Sequence, residues 1–149
     1  MRMATDATIA GWTVLADPEH TRATYSEMSM GGSQKCGCDG CRNFQLVRNS
    51  AFPPEVIQFF EVAGIDITKD AEVYEYGEIA PGIHSYGGEY YFLGKIIKQP
   101  SGEVSLQPGF RFVLTTPSPL MPPNFRGEES LCFLFEAELP WVIGNGSHA

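Results

Sequence analysis

Three thiols stand close together in the sequence, in the segment KCGCDGCR at positions 35–42. They follow a C-x-C-x-x-C spacing and are Cys36, Cys38 and Cys41. Thiolates at such short spacing can converge on one soft metal ion, and zinc binds cysteine sulfur at about 2.3 Å in tetrahedral sites. A glycine stands in each gap, where it can adopt the backbone curl that such a site needs, and Lys35 and Arg42 supply charge that stabilises thiolates. The segment therefore predicts a structural zinc site.

A tetrahedral site needs a fourth ligand, which the segment itself does not supply. The remaining cysteine, Cys132, alternates with Leu131 and Phe133 in a predicted strand. Two interpretations of Cys132 stay open, since a free cysteine in a strand can also be a small buried hydrophobic residue. The predicted ligand set is Cys36, Cys38, Cys41 and Cys132, and the alternatives to the fourth member are His84, His20 and His148.

The same segment permits a second chemistry. Cys38 and Cys41 form a C-x-x-C pair at a predicted helix start, where a thiolate is stabilised and thiol–disulfide exchange is possible. This favours a thiol-dependent oxidoreductase as the alternative to a metal site. However, the strand that precedes a thioredoxin motif is missing, because the chain before the cysteines predicts a hairpin. Iron–sulfur or copper binding, or cysteines without a function, complete the alternatives.

The elements that must position these thiols begin with a hairpin. Residues Ile9 to Ala16 predict a strand, the turn Asp17-Pro18-Glu19 follows it, and Thr21 to Met30 predicts the returning strand. Two short helices are predicted after the cysteines. The first contains Phe44, and the second begins at Pro54 and ends at Gly64, because these are residue types typical of the two helix ends.

The rest of the chain predicts strands. A loop with prolines at 117, 119, 122 and 123 separates the last two, because proline cannot pair within a sheet. The fold class is therefore α+β, an antiparallel sheet with two short helices after an N-terminal hairpin, in a single domain over 1–149 with frayed tails at 1–8 and 144–149. The predicted strands cover 72–76, 83–86, 89–98, 104–106, 110–116 and 131–139, with a turn at Ser101-Gly102 and with 89–98 in the centre of the sheet.

Composition and charge limit the function classes. Of 149 residues, 18 are acidic and 10 basic, which gives a net charge of −8 and opposes nucleic-acid binding as the main function. Apolar runs fall short of the roughly 18 residues that cross a bilayer, and no signal peptide is recognisable. We therefore expect a cytoplasmic protein that binds neither nucleic acid nor membrane. Thiols stay reduced in that compartment, which favours metal binding over structural disulfides.

The segment Cys36 to Phe44, with Gly64-Ile65-Asp66 and Tyr90-Tyr91-Phe92-Leu93-Gly94, resembles a group of small uncharacterised bacterial proteins that share a C-x-C-x-x-C-x-N-F loop. The resemblance implies a bacterial origin and a recurring thiol loop, and it implies no mechanism. The residues themselves favour a non-enzymatic role. They predict a zinc-stiffened module that binds a protein partner or a small ligand through its aromatic strands or its proline loop, with no oligomeric state specified.

Overall fold

The structure is a computed structural model and describes residues 4–101 and 104–144. Within these residues, seven strands form one antiparallel sheet, together with four α-helices and one 3₁₀ turn at Pro123–Phe125, so the predicted α+β class is confirmed. The strands are β1 (Thr5–Ile9), β2 (Trp12–Ala16), β3 (Glu72–Ala80), β4 (Ile83–Lys98), β5 (Val104–Gln107), β6 (Phe110–Thr115) and β7 (Ser130–Pro140). The helices are α1 (Pro18–Ser26), α2 (Gly32–Cys36), α3 (Asp39–Ala51) and α4 (Pro54–Ala63).

The N-terminal hairpin is present, but other residues form it. β1 pairs with β2, and Ala10 and Gly11 make the turn with positive φ angles of 48° and 89°. Residues 5–8, predicted as part of a frayed tail, thus belong to a strand, while residues 1–3 and 145–149 lie outside the described residues. The predicted strand over 21–30 is wrong. The chain forms α1 there because the Asp17 carboxylate accepts a hydrogen bond from the N–H of His20 and Pro18 opens the first turn.

β4 is the centre of the sheet, as the sequence predicts for residues 89–98. It pairs with β7 on one side, and on the other side with β3 and then β2. Along this side of β4, a short segment between the residues that pair with β3 and those that pair with β2 has no strand beside it. α1 supplies hydrogen-bond partners for the backbone of this segment. The Leu93 N–H donates to Thr21 Oγ1 (3.0 Å), and the Tyr25 hydroxyl donates to the Tyr91 carbonyl (2.6 Å).

An aromatic core fills the space between the sheet and α3 and α4. Phe44 of α3 stacks on Phe135 of β7 (ring centroids 6.1 Å apart), and Phe60 of α4 meets Phe133 edge-on (5.0 Å). α4 begins at Pro54 and is capped by Gly64 with φ +86°, which confirms the prediction of the second helix. α3 occupies the predicted position of the first helix, whereas α1 and α2 were not predicted.

The opposite face of β4 carries the proline loop. The Ser118 hydroxyl, within that loop, donates to the buried Glu89 carboxylate (3.0 Å), and the Tyr91 hydroxyl donates to the same oxygen (3.0 Å). These bonds hold the loop against the sheet. The predicted turn at 101–102 lies partly outside the described residues. In the part of the chain that is described, no helix has the length and apolar character to cross a bilayer.

Candidate metal centre

The three clustered cysteines lie where α2 ends and α3 begins. Cys36 is the last residue of α2, and Gly37 ends that helix with a left-handed φ of +71°. Cys38 is extended and caps the N-terminus of α3, while Cys41 lies in the first turn of α3. One tight turn between two helices therefore brings the three side chains together.

The three Sγ atoms lie within 4.8 Å of one another. In a tetrahedral zinc site with bonds of about 2.3 Å, two sulfurs are roughly 3.8 Å apart, so small side-chain rotations bring these thiols to metal-binding distance. Cys36 and Cys38 are exposed, and Cys41 is only 6% exposed. The three cysteines are thus positioned to hold a metal ion with one ligand on the protein side and two facing solvent.

The pKa values of two of these thiols are displaced in opposite directions. Partial burial acts to raise the pKa of Cys38, but hydrogen bonds from the Cys41 N–H (3.4 Å) and from the neighbouring thiols lower it overall. Burial raises the pKa of Cys41, and the hydrogen bond and charge of Cys38 raise it further. One negative charge is therefore favoured within the cluster, and a metal ion would displace the remaining protons as it binds.

A buried carboxylate fixes α2 to the rest of the molecule. Asp70, 1% exposed, accepts hydrogen bonds from the N–H (3.0 Å) and the hydroxyl (2.6 Å) of Ser33. Burial raises the pKa of Asp70, and the bonds from Ser33 offset part of this. The Gln45 amide links the two helices by donating to the carbonyls of Ser33 (3.0 Å) and Cys41 (3.2 Å).

A buried amide fixes α3 in the same way. Asn43 is 0% exposed, and its Nδ2 donates to the Pro140 carbonyl (3.0 Å) and to the Tyr86 hydroxyl (3.3 Å), while its Oδ1 accepts from the Val142 N–H (2.7 Å). The Tyr86 hydroxyl in turn donates to the Gly40 carbonyl (2.7 Å) in the first turn of α3. Asn43 of the C-x-N-F pattern therefore ties the cysteine helix to the end of β7.

Cys132 lies apart from the other three cysteines. It is 1% exposed on β7, opposite Tyr91 of β4, and it is not among the thiols that lie within 4.8 Å of one another. Burial and the charge of Glu89 raise the pKa of Cys132 to about 12, so the thiol stays protonated at neutral pH. The structure brings together Cys36, Cys38 and Cys41, and it places Cys132 in the core.

The two described histidines have other partners. His84 Nδ1 lies 2.7 Å from a Glu75 carboxylate oxygen, and its ring stacks on Trp141 with centroids 4.0 Å apart. His20 lies 3.8 Å from carboxylate oxygens of Asp17 and Glu128. His148 lies outside the described residues.

The supports of the site were not found by sequence reasoning. Asp70, Asn43 and Tyr86 act through contacts with residues remote in sequence, and only the position of Asn43 two residues after Cys41 gives a local signal. The cleft beside Cys36, with a volume of about 620 Å³, also depends on tertiary structure. Its walls include the segment after α1 and the proline loop.

No protein-family model, curated protein or solved structure matches this chain. What the site can do chemically therefore follows from its own residues. They offer three soft sulfur donors at near-bonding separation, held by two helices that are each anchored to the body of the protein.

Proposed function

We propose that this chain binds one zinc ion through Cys36, Cys38 and Cys41, and that the metal stiffens the α2–α3 junction of a binding module. The observation that carries the proposal is the convergence of the three Sγ atoms within 4.8 Å. Thiolates are soft ligands suited to zinc, and a reducing compartment such as the cytoplasm keeps them free to bind it.

The lengths of the helices support a stabilising role for the metal. α2 has five residues, which is far too short for a helix to be stable by itself. A metal ion would link the last residue of α2 to the cap and first turn of α3. It would add a cross-link to the hydrogen bonds of Asp70 and Gln45 that already hold this junction.

The surroundings of the cluster support binding as the role of the module. The cleft beside Cys36 opens between the segment after α1 and the proline loop, and it is large enough for a small molecule. The net charge of −8 opposes contact with nucleic acid, so we infer that the partner is a small ligand or a protein.

Metal content tests this proposal. Protein purified without a chelator or a histidine tag should carry about one zinc per chain. A variant with serine at Cys36, Cys38 and Cys41 should lose the metal and melt at a lower temperature. The matched control is Cys132→Ala, which should keep the zinc. A metal-free protein with freely titrating thiols, or equal melting temperatures for the protein and the triple variant, would contradict the proposal.

The position of Cys38 favours thiol–disulfide exchange as a second candidate function. Cys38 is an exposed helix cap and Cys41 is buried behind it, which is a geometry for attack by one thiol and resolution by the other. The Cys38 thiolate would attack a small disulfide and release one thiol. Cys41 would then attack the mixed disulfide, release the second thiol and leave a Cys38–Cys41 bond. Equilibration of metal-free protein with oxidised glutathione, followed by peptide mapping, should show this bond. Its absence would contradict the thiol–disulfide exchange function and leave zinc binding as the remaining candidate.

A further inference from the structure

The cleft of about 620 Å³ lies directly beside the cysteine cluster. Its walls come from the segment after α1, from α2, from the start of β3 and the residues before it, and from the proline loop. Cys36 belongs to both the cluster and the cleft, and it is exposed. A metal ion bound to Cys36 would therefore lie at the edge of the cleft.

The three sulfur donors of the described residues leave one coordination position of a tetrahedral site unfilled. Over residues 4–101 and 104–144, the histidine, cysteine and acidic side chains provide a metal-binding group of three, and it contains only the clustered cysteines. Cys132 is in the core and His84 is engaged by Glu75. Zinc prefers four ligands, and a site with three protein ligands takes its fourth from solvent or from a bound molecule.

Building on the proposed zinc site, we propose that the sulfur of a small amino-acid or peptide thiol takes the fourth position and that the body of this thiol lies in the cleft. A fourth sulfur matches the softness of the three thiolates. Lys35 provides an ammonium group for the carboxylate of the ligand, and Glu27 and Glu72 provide carboxylates for its ammonium group. Met28 and Met121 are half-buried and offer apolar contact to its methylene groups.

Binding involves ligand exchange and no electron transfer. The incoming thiol gives its proton to solvent, its sulfur forms a bond to the metal, and the water that held the fourth position leaves. Three thiolates and Zn²⁺ carry a net charge of −1, and a fourth thiolate makes it −2. Lys35 at the end of α2 offsets part of this charge.

The test uses the full-length protein loaded with one equivalent of Co²⁺, whose absorption reports the number of coordinated sulfurs. Titration with glutathione should raise the sulfur-to-cobalt charge-transfer absorption by about one third, because four sulfurs replace three. S-Methylglutathione, which has no thiol to deprotonate, should leave the spectrum unchanged. In protein saturated with cobalt, Lys35→Ala should weaken glutathione binding about two- to fivefold, and the exposed Lys95→Ala is the matched control that should not change it.

The outcomes separate this inference from the proposed function. If cobalt binds but glutathione does not change its spectrum, the fourth position is closed and the inference is wrong, while the metal site stands. A cobalt spectrum that already shows four sulfurs before glutathione is added has the same meaning. If cobalt does not bind at all, the proposed metal site fails first.

Discussion

Asn43→Ala should destabilise the protein more than any exposed substitution on the same helix. The side chain is fully buried and makes three hydrogen bonds, to Pro140, Val142 and Tyr86. Each such bond contributes about 0.5–1.5 kcal/mol, so the free energy of unfolding should fall by about 2–3 kcal/mol. For a chain of this length, that loss corresponds to a melting temperature lower by roughly 5–12 °C.

Urea denaturation of metal-free protein measures this loss, and Asn49→Ala is the matched control. Asn49 lies on α3 as well but is exposed, so its replacement should change the free energy of unfolding by no more than about 0.5 kcal/mol. Tyr86→Phe adds a second test. Tyr86 links Asn43 to Gly40, so the two substitutions remove partly the same interactions. The loss in the free energy of unfolding of the double variant should therefore be smaller than the sum of the two single losses, by at least about 0.5 kcal/mol. Equal stabilities of Asn43→Ala and Asn49→Ala would refute the assignment of Asn43 as the anchor of the cysteine helix.

Three further outcomes are expected. Gly64→Ala should lower the free energy of unfolding by at least about 2 kcal/mol, because Gly64 has a φ of +86° and an added Cβ would lie 2.5 Å from the Pro18 carbonyl oxygen. Gly82→Ala, at φ +74° with open space around it, should lower it by only about 1 kcal/mol. Equal losses in thermal or urea unfolding would contradict this. In metal-free protein, Cys38 should react with iodoacetamide fastest, with a rate midpoint below its ordinary pKa of 9.0, as mass spectrometry of the alkylated peptides can show; a midpoint above 9.0 would exclude the lowered pKa. Because burial raises the pKa of Asp70, the folded protein binds the proton of this carboxyl group more tightly than the unfolded chain does. The free energy of unfolding of the protein, compared with that of Asp70→Asn, should therefore increase as pH falls from neutral towards 3.8. Urea titrations in which this difference decreases as pH falls would refute the prediction.

The parts of the fold that were predictable have local signals. α4 lies between Pro54 and Gly64 because both helix ends are specified by residues at those ends. The cysteine cluster was predictable for the same reason, since its three thiols need only one turn of backbone to meet. In contrast, the residues from Thr21 to Tyr25 have the β-branched and aromatic character of a strand. They form α1 because Asp17 and Pro18 start a helix and the central strand needs hydrogen-bond partners at its uncovered edge.

The anchors of the site were not predictable, because each depends on strand register. Asp70 meets Ser33 only when β3 has paired with β4, and Tyr86 meets Gly40 only when α3 lies across the same sheet. In the sequence alone, an aspartate or tyrosine that will be buried cannot be distinguished from the other residues of its type. Its role becomes visible when tertiary structure supplies the partner.

The position of Cys132 follows from strand alternation. Successive side chains of a strand point to opposite faces, and Phe133 points towards α4, where it meets Phe60. Cys132 must therefore face the other side of the sheet, where its partner across the strands, Tyr91, bonds to Glu89. The sequence reveals the alternation but not which face the helices cover, so it left both the core and the ligand interpretations of Cys132 open. Phe44 of α3 packs on Phe135, on the same face as Phe133, so α3 with Cys41 and its cap Cys38 lies on the face of the sheet opposite to Cys132.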